Sequence, residues 1–249
     1  MPEQETIWII GASDGIGAAL ARLWSKQGVR LILSARSESK LQTLVSELGA
    51  HHIAIPVDVS NRESLEQAAE QITAHAPIDR IIHLAANYDP GSVLDADPLK
   101  AGEIVTTNLT GSFHVAQIAP RVLRRGGQLA LCGSVAGYFG LPQGQIYSAT
   151  KAGVINLAES LRSELEGVVD VRLICPGFVD TRLTKRNDFT MPALISSEKA
   201  AHEIISGLNK RRFEVHFPRR LTLALKLLRA LPYWAALPLA GRLTQRKEN

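Results

Sequence analysis

Three residues in the middle of the chain have the types and spacing to do acid–base chemistry. Tyr147 and Lys151 stand four residues apart, so in a helix they share one face, about one turn from each other. A phenol has a pKa of about 10, and a nearby positive charge lowers that value by favouring the phenolate. Tyr147 would then exchange protons with a carbonyl or alcohol oxygen that Ser134 also hydrogen-bonds. Because Tyr-x-x-x-Lys is also frequent on ordinary helix surfaces, other motifs must decide.

A glycine-rich turn near the N-terminus is typical of a dinucleotide-phosphate site. The apolar run Thr6–Ile10 leads into Gly11-Ala-Ser-Asp-Gly15-Ile-Gly17, and a helical pattern follows. Glycines allow a tight turn and close backbone approach, and the helix N-terminus offers N–H groups to a pyrophosphate. The alternative is a strand–turn–helix corner that needs glycine for packing alone. The cofactor-binding residues predicted in this turn are Gly11, Ser13, Asp14, Gly15, Ile16 and Gly17.

Jointly, the motifs resemble those of the short-chain dehydrogenase/reductase family, from about Thr6 to Phe217. The glycine spacing, Asn108-Leu-Thr-Gly111, Ser134, Tyr147, Lys151 and Pro176-Gly177 stand in the family's order. The resemblance implies that Asn108, Ser134, Tyr147 and Lys151 are the catalytic residues. It further implies that Lys151 holds the nicotinamide ribose and that Asn108 holds a water linking Lys151 to solvent.

Two positions depart from the family pattern. The residue before the first glycine is Ile10, where the family usually has Thr, so one hydroxyl is missing from the turn. The family's Asn-Asn-Ala-Gly after the fourth strand is replaced by His83-Leu-Ala-Ala86, with Asn87 displaced. These changes leave the four catalytic residues intact and alter the side chains around the cofactor loop.

The end of the second predicted strand favours NADP over NAD. An acidic residue there would accept hydrogen bonds from the ribose hydroxyls of NAD, but this chain has Ala35 followed by Arg36. A guanidinium pairs well with a phosphate dianion, and Ser13 and Ser37 add donors. The alternative is that Arg36 only ends the strand and faces solvent. Asp14 in the glycine turn would repel a phosphate unless its carboxylate points away.

The resemblance implies further cofactor contacts at the ends of later strands. Asp58 and Val59 would contact the adenine. The backbone near Val179 and the Thr181 hydroxyl, after Pro176-Gly177, would lie near the carboxamide and pyrophosphate. The remaining predicted cofactor-binding residues are Ala85, Ala86, Asn87, Pro176 and Gly177. Arg182–Ile195, with Phe189, stands where the family carries a substrate lid.

Strand-like and helix-like segments alternate along the chain, which predicts an α/β fold. The strands are predicted at about 6–10, 29–35, 51–57, 79–85, 127–133, 169–175 and 212–217. The helices are predicted at about 15–27, 38–48, 61–75, 99–125, 145–166 and 197–209. Repeated βα units predict one Rossmann-type, doubly wound parallel sheet of about seven strands, with ligands bound beyond the carboxyl ends of the strands. We expect a catalytic domain over 1–217 and a C-terminal helical appendage over 218–249.

Composition and cysteine usage favour an ordinary globular protein in a reducing compartment. The chain has 249 residues, 45% of them hydrophobic and 21% charged, which suits one α/β domain. Cys132 and Cys175 lie in apolar runs, and neither they nor the seven histidines, His75 among them, show metal spacing, so no metal is predicted. The first strand begins too early for a signal peptide, which predicts a cytoplasmic protein.

The net charge of +4 is unevenly distributed. From Lys210 onward the chain has ten Lys and Arg residues and only two Glu. Because the whole chain has a net charge of +4, the residues before Lys210 carry a net negative charge. A nucleic-acid groove on the main domain is therefore not expected.

The tail, residues 219–240, is predicted to be a basic amphipathic helix. Arg219, Thr222, Lys226 and Arg229 recur on one face, with leucines including Leu221 and Leu225 opposite. Lys226, Arg229, Pro232 and Pro238 argue against a transmembrane span. Three roles stay open: packing within the chain or in a dimer, a cap over the substrate cleft, and peripheral contact with a membrane.

The leading functional prediction is an NADP-dependent oxidoreductase that reduces an apolar ketone or aldehyde. Its partners would be a small carbonyl or alcohol substrate and other copies of the chain in a dimer or tetramer. Tyr138 and Phe139, close after Ser134, either line the substrate pocket or pack within their loop. The alternatives are an NADP(H)-binding sensor that leaves its catalytic residues unused and a peripheral membrane protein. The sequence does not identify the carbonyl compound.

Overall fold

The computed structural model describes residues 4–73, 77–187 and 191–243. Three predicted segments lie partly outside the described residues. They are the third helix, including His75, the lid, including Phe189, and the C-terminal appendage, from 244 onward. The described residues form one parallel seven-stranded sheet in the order β3-β2-β1-β4-β5-β6-β7. The predicted doubly wound α/β fold is confirmed.

The strands and helices alternate as the sequence pattern predicts. The strands are β1 (Thr6–Ile10), β2 (Arg30–Ser34), β3 (Ile53–Ala54), β4 (Ile78–His83), β5 (Leu123–Cys132), β6 (Asp170–Pro176) and β7 (Glu214–Phe217). The helices are α1 (Gly15–Lys26), α2 (Glu38–Leu48), α3 (Arg62–Thr73), α4 (Pro98–Val105), α5 (Gly111–Val122), α6 (Gln145–Glu164), α7 (Ser197–Leu208), α8 (Arg219–Ala230) and α9 (Tyr233–Leu243).

Two helical layers cover the two faces of the sheet. Successive residues of β1 feed opposite layers: Trp8 and Ile10 pack with α3, α5 and α6, whereas Ile7 and Ile9 pack with α1, α2 and α7. All four side chains are fully buried. A strand buried on both faces must be apolar at every position, which explains the uninterrupted apolar run in the sequence.

The single long helix predicted at 99–125 is wrong. Helix α4 ends at Val105, a π-helical turn spans Thr106–Thr110, and α5 begins at Gly111. The π-helical turn contains Asn108, whose buried side chain bonds to other elements. A local widening of this kind is frequent at functional sites. The predicted third strand also shrinks to Ile53–Ala54, which pairs with β2 alone at the edge of the sheet.

The tail forms two helices where the sequence pattern predicts one. Helix α8 ends before Leu231, and Pro232 cannot continue it because proline lacks a backbone N–H. The side chains of Leu225, Leu228, Ala236 and Ala240 bury against a cluster that includes Val135 and Phe139. Thr222, predicted on the polar face, is fully buried, and its hydroxyl bonds to His216 Nδ1 at 2.7 Å. No helix within the described ranges is long and apolar enough to cross a bilayer.

Three polar side chains fasten α8 to the sheet and to the loop after β5. The Glu214 carboxylate on β7 accepts hydrogen bonds from the Tyr138 hydroxyl and the Lys226 ammonium. Burial opposes ionisation of Glu214, but the bonds from Lys226 and Tyr138 outweigh it and hold its pKa below the usual value. Lys226 Nζ also lies 5.3 Å from the centroid of the Tyr138 ring. Tyr138 therefore belongs to the attachment of the tail.

Glu214→Gln is expected to destabilise the protein by about 1.5–3 kcal/mol at pH 7, as for hydrogen bonds to a charged group. A depressed carboxyl pKa contributes stability above the unfolded value, about 4.3, and that contribution is lost as pH falls through the folded value. The difference between variant and parent in urea unfolding should therefore narrow below about pH 4. Exposed Glu159→Gln controls for loss of one negative charge. If variant and parent differed equally in free energy of unfolding at pH 7 and below about pH 4, Glu214 would not be the ionised acceptor of these bonds.

Candidate active site

A cavity of about 1220 Å³ opens at the carboxyl ends of the strands. Side chains and backbone from both halves of the sheet line it, as expected for a parallel α/β fold. With the exception of Asn108, every predicted site residue lies on its wall. These lining residues are Gly11, Ser13, Asp14, Gly15, Ile16, Gly17, Arg36, Ser37, Asp58, Val59, Ala85, Ala86, Asn87, Ser134, Tyr147, Lys151, Pro176, Gly177, Val179 and Thr181.

Asn108 is fully buried and connects three elements behind the cavity wall. Its Oδ1 accepts from the Asn87 N–H at 2.7 Å, and its Nδ2 donates to the Asn87 carbonyl at 2.9 Å and to Thr150 Oγ1 at 3.2 Å. Asn87 follows β4, and Thr150 precedes Lys151 on α6. Asn108 thus holds the loop after β4 against the helix that carries Tyr147 and Lys151.

Ser134 begins a tight turn after β5, and that turn packs directly on α6. Its Oγ accepts from the Ala136 N–H at 3.1 Å, which caps the 3₁₀ turn Val135–Gly137. A Cβ at Gly137 would lie 2.7 Å from the Lys151 carbonyl carbon, so only glycine permits this approach. The close packing places Ser134 beside Tyr147 on the cavity wall, where its side chain favours the ionised form of the phenol and so lowers the Tyr147 pKa.

Tyr147 and Lys151 both point into the cavity from one face of α6, as their spacing predicts. Lys151 Nζ donates to the Cys132 carbonyl at 2.7 Å and lies 5.7 Å from the centroid of the Tyr147 ring. Burial raises the pKa of Tyr147 and lowers that of Lys151. The predicted lowering of the Tyr147 pKa is therefore wrong for the protein without a bound cofactor. Desolvation of the phenol raises the pKa by more than the Ser134 side chain lowers it.

His83, one of the departures from the family pattern, extends this network beneath the cavity. Its Nε2 lies 3.1 Å from Ser112 Oγ, and that hydroxyl donates to the Asn108 carbonyl at 2.6 Å. Because the Ser112 hydroxyl donates its one proton to Asn108, it can only accept a hydrogen bond from His83. His83 Nε2 therefore carries a proton and donates it to Ser112 Oγ. Burial lowers the pKa of His83 to about 3, so the ring is neutral. Sequence reasoning identified the substitution but not this support for Asn108.

The glycine turn leaves space for a phosphate-bearing group. Gly11 has φ +93°, and a Cβ there would lie 2.6 Å from the Ala85 backbone nitrogen. A Cβ at Gly17 would lie 2.1 Å from the Gly11 carbonyl oxygen. The turn is therefore closed to side chains and opens onto the cavity at the N-terminus of α1, where N–H groups lack intrahelical acceptors. These residues fit a dinucleotide pyrophosphate.

Asp14 does not project its charge freely into this phosphate corner. Its Oδ1 accepts from the Gly15 N–H at 2.7 Å, which caps α1. Its Oδ2 lies 3.3 Å from Arg182 Nε, and Arg182 comes from the predicted lid segment. Arg182 therefore offsets the negative charge of Asp14, which would otherwise repel a phosphate in this turn.

The end of β2 forms a basic corner of the cavity. Arg36 is exposed, and its Nη2 lies 3.5 Å from Asn87 Oδ1. Ser37 stands at the N-cap of α2 without a side-chain cap hydrogen bond. Lys40, one turn further along the chain, also lines the cavity. Sequence reasoning missed Lys40, although its spacing of four from Arg36 was a usable signal.

The remaining predicted cofactor residues are held by their own local bonds. Asp58 Oδ1 accepts from the Ser60 N–H at 2.9 Å and from the Ser60 hydroxyl at 2.6 Å, which turns the chain after β3. Thr184 Oγ1 donates to the Val179 carbonyl at 2.6 Å and lies 3.3 Å from Thr181 Oγ1. A Cβ at Gly15 would lie 2.9 Å from Thr181, so this threonine packs against the glycine turn.

The opposite end of the cavity is largely apolar. Leu221 and Leu225 of α8 line it together with Leu141, Pro142, Phe178, Leu183 and Pro192. Tyr88, which the sequence reasoning overlooked, packs edge-on against Tyr147 with ring centroids 4.7 Å apart. The Tyr88 hydroxyl donates to Asn187 Oδ1 at 2.6 Å. Phe139 is buried among the tail residues, and neither it nor Tyr138 is on the cavity wall.

Titratable side chains do not gather into a metal site in the described part of the chain, where no three His, Cys, Asp or Glu residues could hold an ion together. His52, for example, is buried and uses both ring nitrogens, with Nδ1 accepting from the Leu31 N–H at 3.2 Å and Nε2 2.9 Å from Ser25 Oγ.

Comparison with known proteins places the chain in a family. A sequence model described as short chain dehydrogenase matches residues 5–191. The chain is 32% identical to an uncharacterized oxidoreductase of Myxococcus xanthus, over 91% of this chain and 92% of that protein. It is also 32% identical to the ketoacyl reductase HetN of Nostoc, over 85% of this chain and 77% of that protein.

Solved structures share the fold over nearly the whole chain. A short-chain dehydrogenase from Sphingobium yanoikuyae in complex with NADPH is 26% identical with a TM-score of 0.80, and the match covers 98% of both chains. A short-chain dehydrogenase/reductase from Burkholderia phymatum in complex with NAD is 20% identical with a TM-score of 0.83, and the match covers 99% of both chains. With the family match over most of its length, the chain belongs to the short-chain dehydrogenase family and is an NAD(P)-dependent oxidoreductase.

Proposed function

We propose that the protein uses NADPH to reduce an apolar ketone or aldehyde to the alcohol. One observation carries the proposal: Ser134, Tyr147 and Lys151 converge on a cavity with a basic, glycine-lined end and an apolar end. The basic end fits a dinucleotide phosphate, and the apolar end fits a hydrocarbon substituent next to the carbonyl.

The catalytic residues divide the work on the carbonyl group. NADPH, when bound, supplies the hydride that the carbonyl carbon takes up. Tyr147 delivers a proton to the carbonyl oxygen, and Ser134 holds that oxygen by a hydrogen bond. Lys151 binds the nicotinamide ribose and supplies positive charge next to the phenol. Asn108 bonds both to the loop after β4 and to the helix that carries Lys151, and so fixes their relative position.

Tyr147 carries the proton that carbonyl reduction needs. Burial raises the pKa of the phenol, and even an unperturbed phenol, with a pKa of about 10, is protonated at neutral pH. The same group would act as the base in alcohol oxidation, so the proposed direction of reduction rests on the preference for NADPH.

The preference for NADPH rests on the basic corner at the end of β2. Arg36 and Lys40 offer charge to a 2′-phosphate, and the N-terminus of α2 offers backbone N–H groups. Ala35 replaces the acid that would bind the ribose hydroxyls of NAD. The solved relatives do not decide between the cofactors, since the Sphingobium yanoikuyae protein is in complex with NADPH and the Burkholderia phymatum protein with NAD.

The apolar end of the cavity sets the substrate class. Leu221 and Leu225, together with Leu141 and Leu183, favour an aliphatic or aromatic substituent over a sugar or a charged acid. The relative named as a ketoacyl reductase is consistent with a carbonyl attached to an acyl chain. A sensor with unused catalytic residues would not require Ser134, Tyr147 and Lys151 to converge on such a pocket.

A series of aldehydes and ketones of graded chain length tests the substrate class. We expect kcat/KM with NADPH to rise by up to about fourfold per buried methylene, or about 0.8 kcal/mol, until the apolar end is filled. Leu221→Asn should weaken this dependence on chain length by raising KM for the longer compounds.

Leu223→Asn on the same helix is the matched control, because its side chain is 56% exposed and points away from the cavity. Rates independent of chain length, or equal effects of the two substitutions, would contradict an apolar substrate site lined by the tail.

A further inference from the structure

The outer surface of the tail hairpin exposes large apolar side chains. While Leu225 and Leu228 of α8 are buried, large apolar side chains at other positions of α8 and α9 are exposed. We call this surface the outer tail face; it consists of Leu223, Leu227, Tyr233, Trp234, Leu237 and Leu239, with exposed fractions of 56%, 66%, 65%, 81%, 57% and 42%. Large exposed apolar side chains that are concentrated in one short segment often mark a binding surface.

The charges around this face are of one sign. Arg219 and Arg220 are exposed on α8 about one turn before Leu223, whereas Arg229, seven residues after buried Thr222, lies on the other side of the helix. Lys226 does not add to this positive charge because it forms an ion pair with Glu214. Between Val215 and Lys247 the sequence contains no Asp or Glu. The face therefore combines a hydrophobic strip with uncompensated positive charge.

We propose that the outer tail face docks on the surface of a lipid bilayer containing anionic headgroups. Leucines and a tryptophan enter the boundary between headgroups and acyl chains, while the arginines contact phosphate and carboxylate groups at the same depth. Tryptophan and tyrosine suit this boundary because their rings are amphipathic. Binding is interfacial, in agreement with the absence of a membrane-crossing helix in the described ranges.

A second copy of the chain fits the same surface less well. A two-fold interface places the same patch on both partners, so Arg219 and Arg220 of one copy would face the equally basic patch of the other. Like charges facing each other across an interface cost several kcal/mol, and the tail supplies no acid to offset them. An anionic lipid surface supplies the missing negative charge.

The docking would place the apolar end of the cavity next to the bilayer. Leu221 and Leu225 line the cavity from the inner side of α8, and Leu223 and Leu227 lie on its outer side. A single helix, Arg219–Ala230, thus separates the cavity from the proposed lipid contact.

Tryptophan fluorescence tests the docking without using enzyme activity. Trp8 and Trp24 are 0% and 2% exposed, so a blue shift caused by vesicles reports Trp234. We expect the full-length protein to bind vesicles of phosphatidylcholine with phosphatidylserine, with a blue shift, and to bind pure phosphatidylcholine at least tenfold more weakly. Trp234→Phe should abolish the shift while vesicle sedimentation still detects binding.

Charge and apolar contact can be separated by substitution. Arg219→Gln and Arg220→Gln should each weaken binding by about fivefold, equivalent to about 1 kcal/mol per cation, and raised salt should weaken it further. Leu223→Glu with Leu227→Glu should abolish binding. Leu94→Glu with Leu99→Glu is the matched control, since these leucines are 94% and 80% exposed on another surface; it should retain binding.

Several outcomes would overturn the proposal. Failure of the parent protein to sediment with anionic vesicles would do so, as would equal loss of binding in the Leu94/Leu99 control. A third contrary result is a parent dimer, measured by sedimentation velocity, that Leu223→Glu with Leu227→Glu converts to a monomer while vesicles bind neither. Circular dichroism of each variant verifies that the fold is retained.

Discussion

Replacing Tyr147 by Phe is expected to reduce kcat for carbonyl reduction by about 10²- to 10⁴-fold, the usual contribution of a positioned general acid. The substitution removes one hydroxyl from a half-buried ring and leaves the edge contact with Tyr88 in place. Folding and NADPH affinity should therefore change little. Steady-state kinetics with the best carbonyl substrate, together with NADPH titration, measures both effects.

Tyr88→Phe is the matched control for this substitution. It deletes the same atom from a tyrosine of the same cavity, and its hydroxyl bonds to Asn187. We expect at most a several-fold effect, because that hydroxyl supports the lid segment and is not assigned to proton transfer. If the two variants lost activity equally, or if Tyr147→Phe turned over normally, Tyr147 would not be the proton donor.

Arg36→Ala should lower the preference for NADPH over NADH by about 10- to 150-fold, which corresponds to about 1.5–3 kcal/mol for hydrogen bonds to a charged group. The guanidinium is exposed, and its recorded contact with Asn87 is long, so it costs little to redirect it toward a 2′-phosphate. Dissociation constants for both cofactors, from fluorescence titration, give the ratio directly.

NADH serves as the internal control for this variant, because it lacks the 2′-phosphate and should bind with unchanged affinity. Lys40→Ala should show a smaller effect of the same sign, since an ammonium cannot form a bidentate pair with a phosphate. Tighter binding of NADH than of NADPH by the parent protein would contradict the cofactor assignment.

Apolar runs and glycine spacing were sufficient to predict the sheet and the phosphate turn. Residues 7–10 of β1 are all apolar because both faces of the strand are covered, and this leaves a clear signal in the sequence. Gly11 and Gly17 are required by backbone atoms that lie within 3 Å of where a Cβ would stand. Local patterns record such constraints directly.

Features that depend on distant partners could not be predicted in this way. The helix predicted at 99–125 is interrupted at Asn108, whose partners Asn87 and Thr150 are remote in sequence. Thr222 was assigned to the polar side of the tail because it is polar, yet a bond to His216 allows it to be buried. The cavity wall from Leu221 and Leu225 arises only once α8 folds back over the sheet.

The pKa of Tyr147 shows the same limit. Spacing correctly placed Lys151 on the same helical face, and proximity of a cation argues for a lower value. Burial, which spacing cannot report, raises the pKa instead.

Deuterium transfer from NADPH labelled at C4 of the nicotinamide tests the central claim most directly. The protein is incubated with the labelled cofactor, in both C4 configurations, and an apolar ketone or aldehyde, and the alcohol is analysed by mass spectrometry. The account predicts one alcohol formed per NADPH consumed, with deuterium on the carbinol carbon for one of the two configurations. NADPH that binds but is not consumed with any carbonyl compound of the series, or alcohol without deuterium from either configuration, would contradict it.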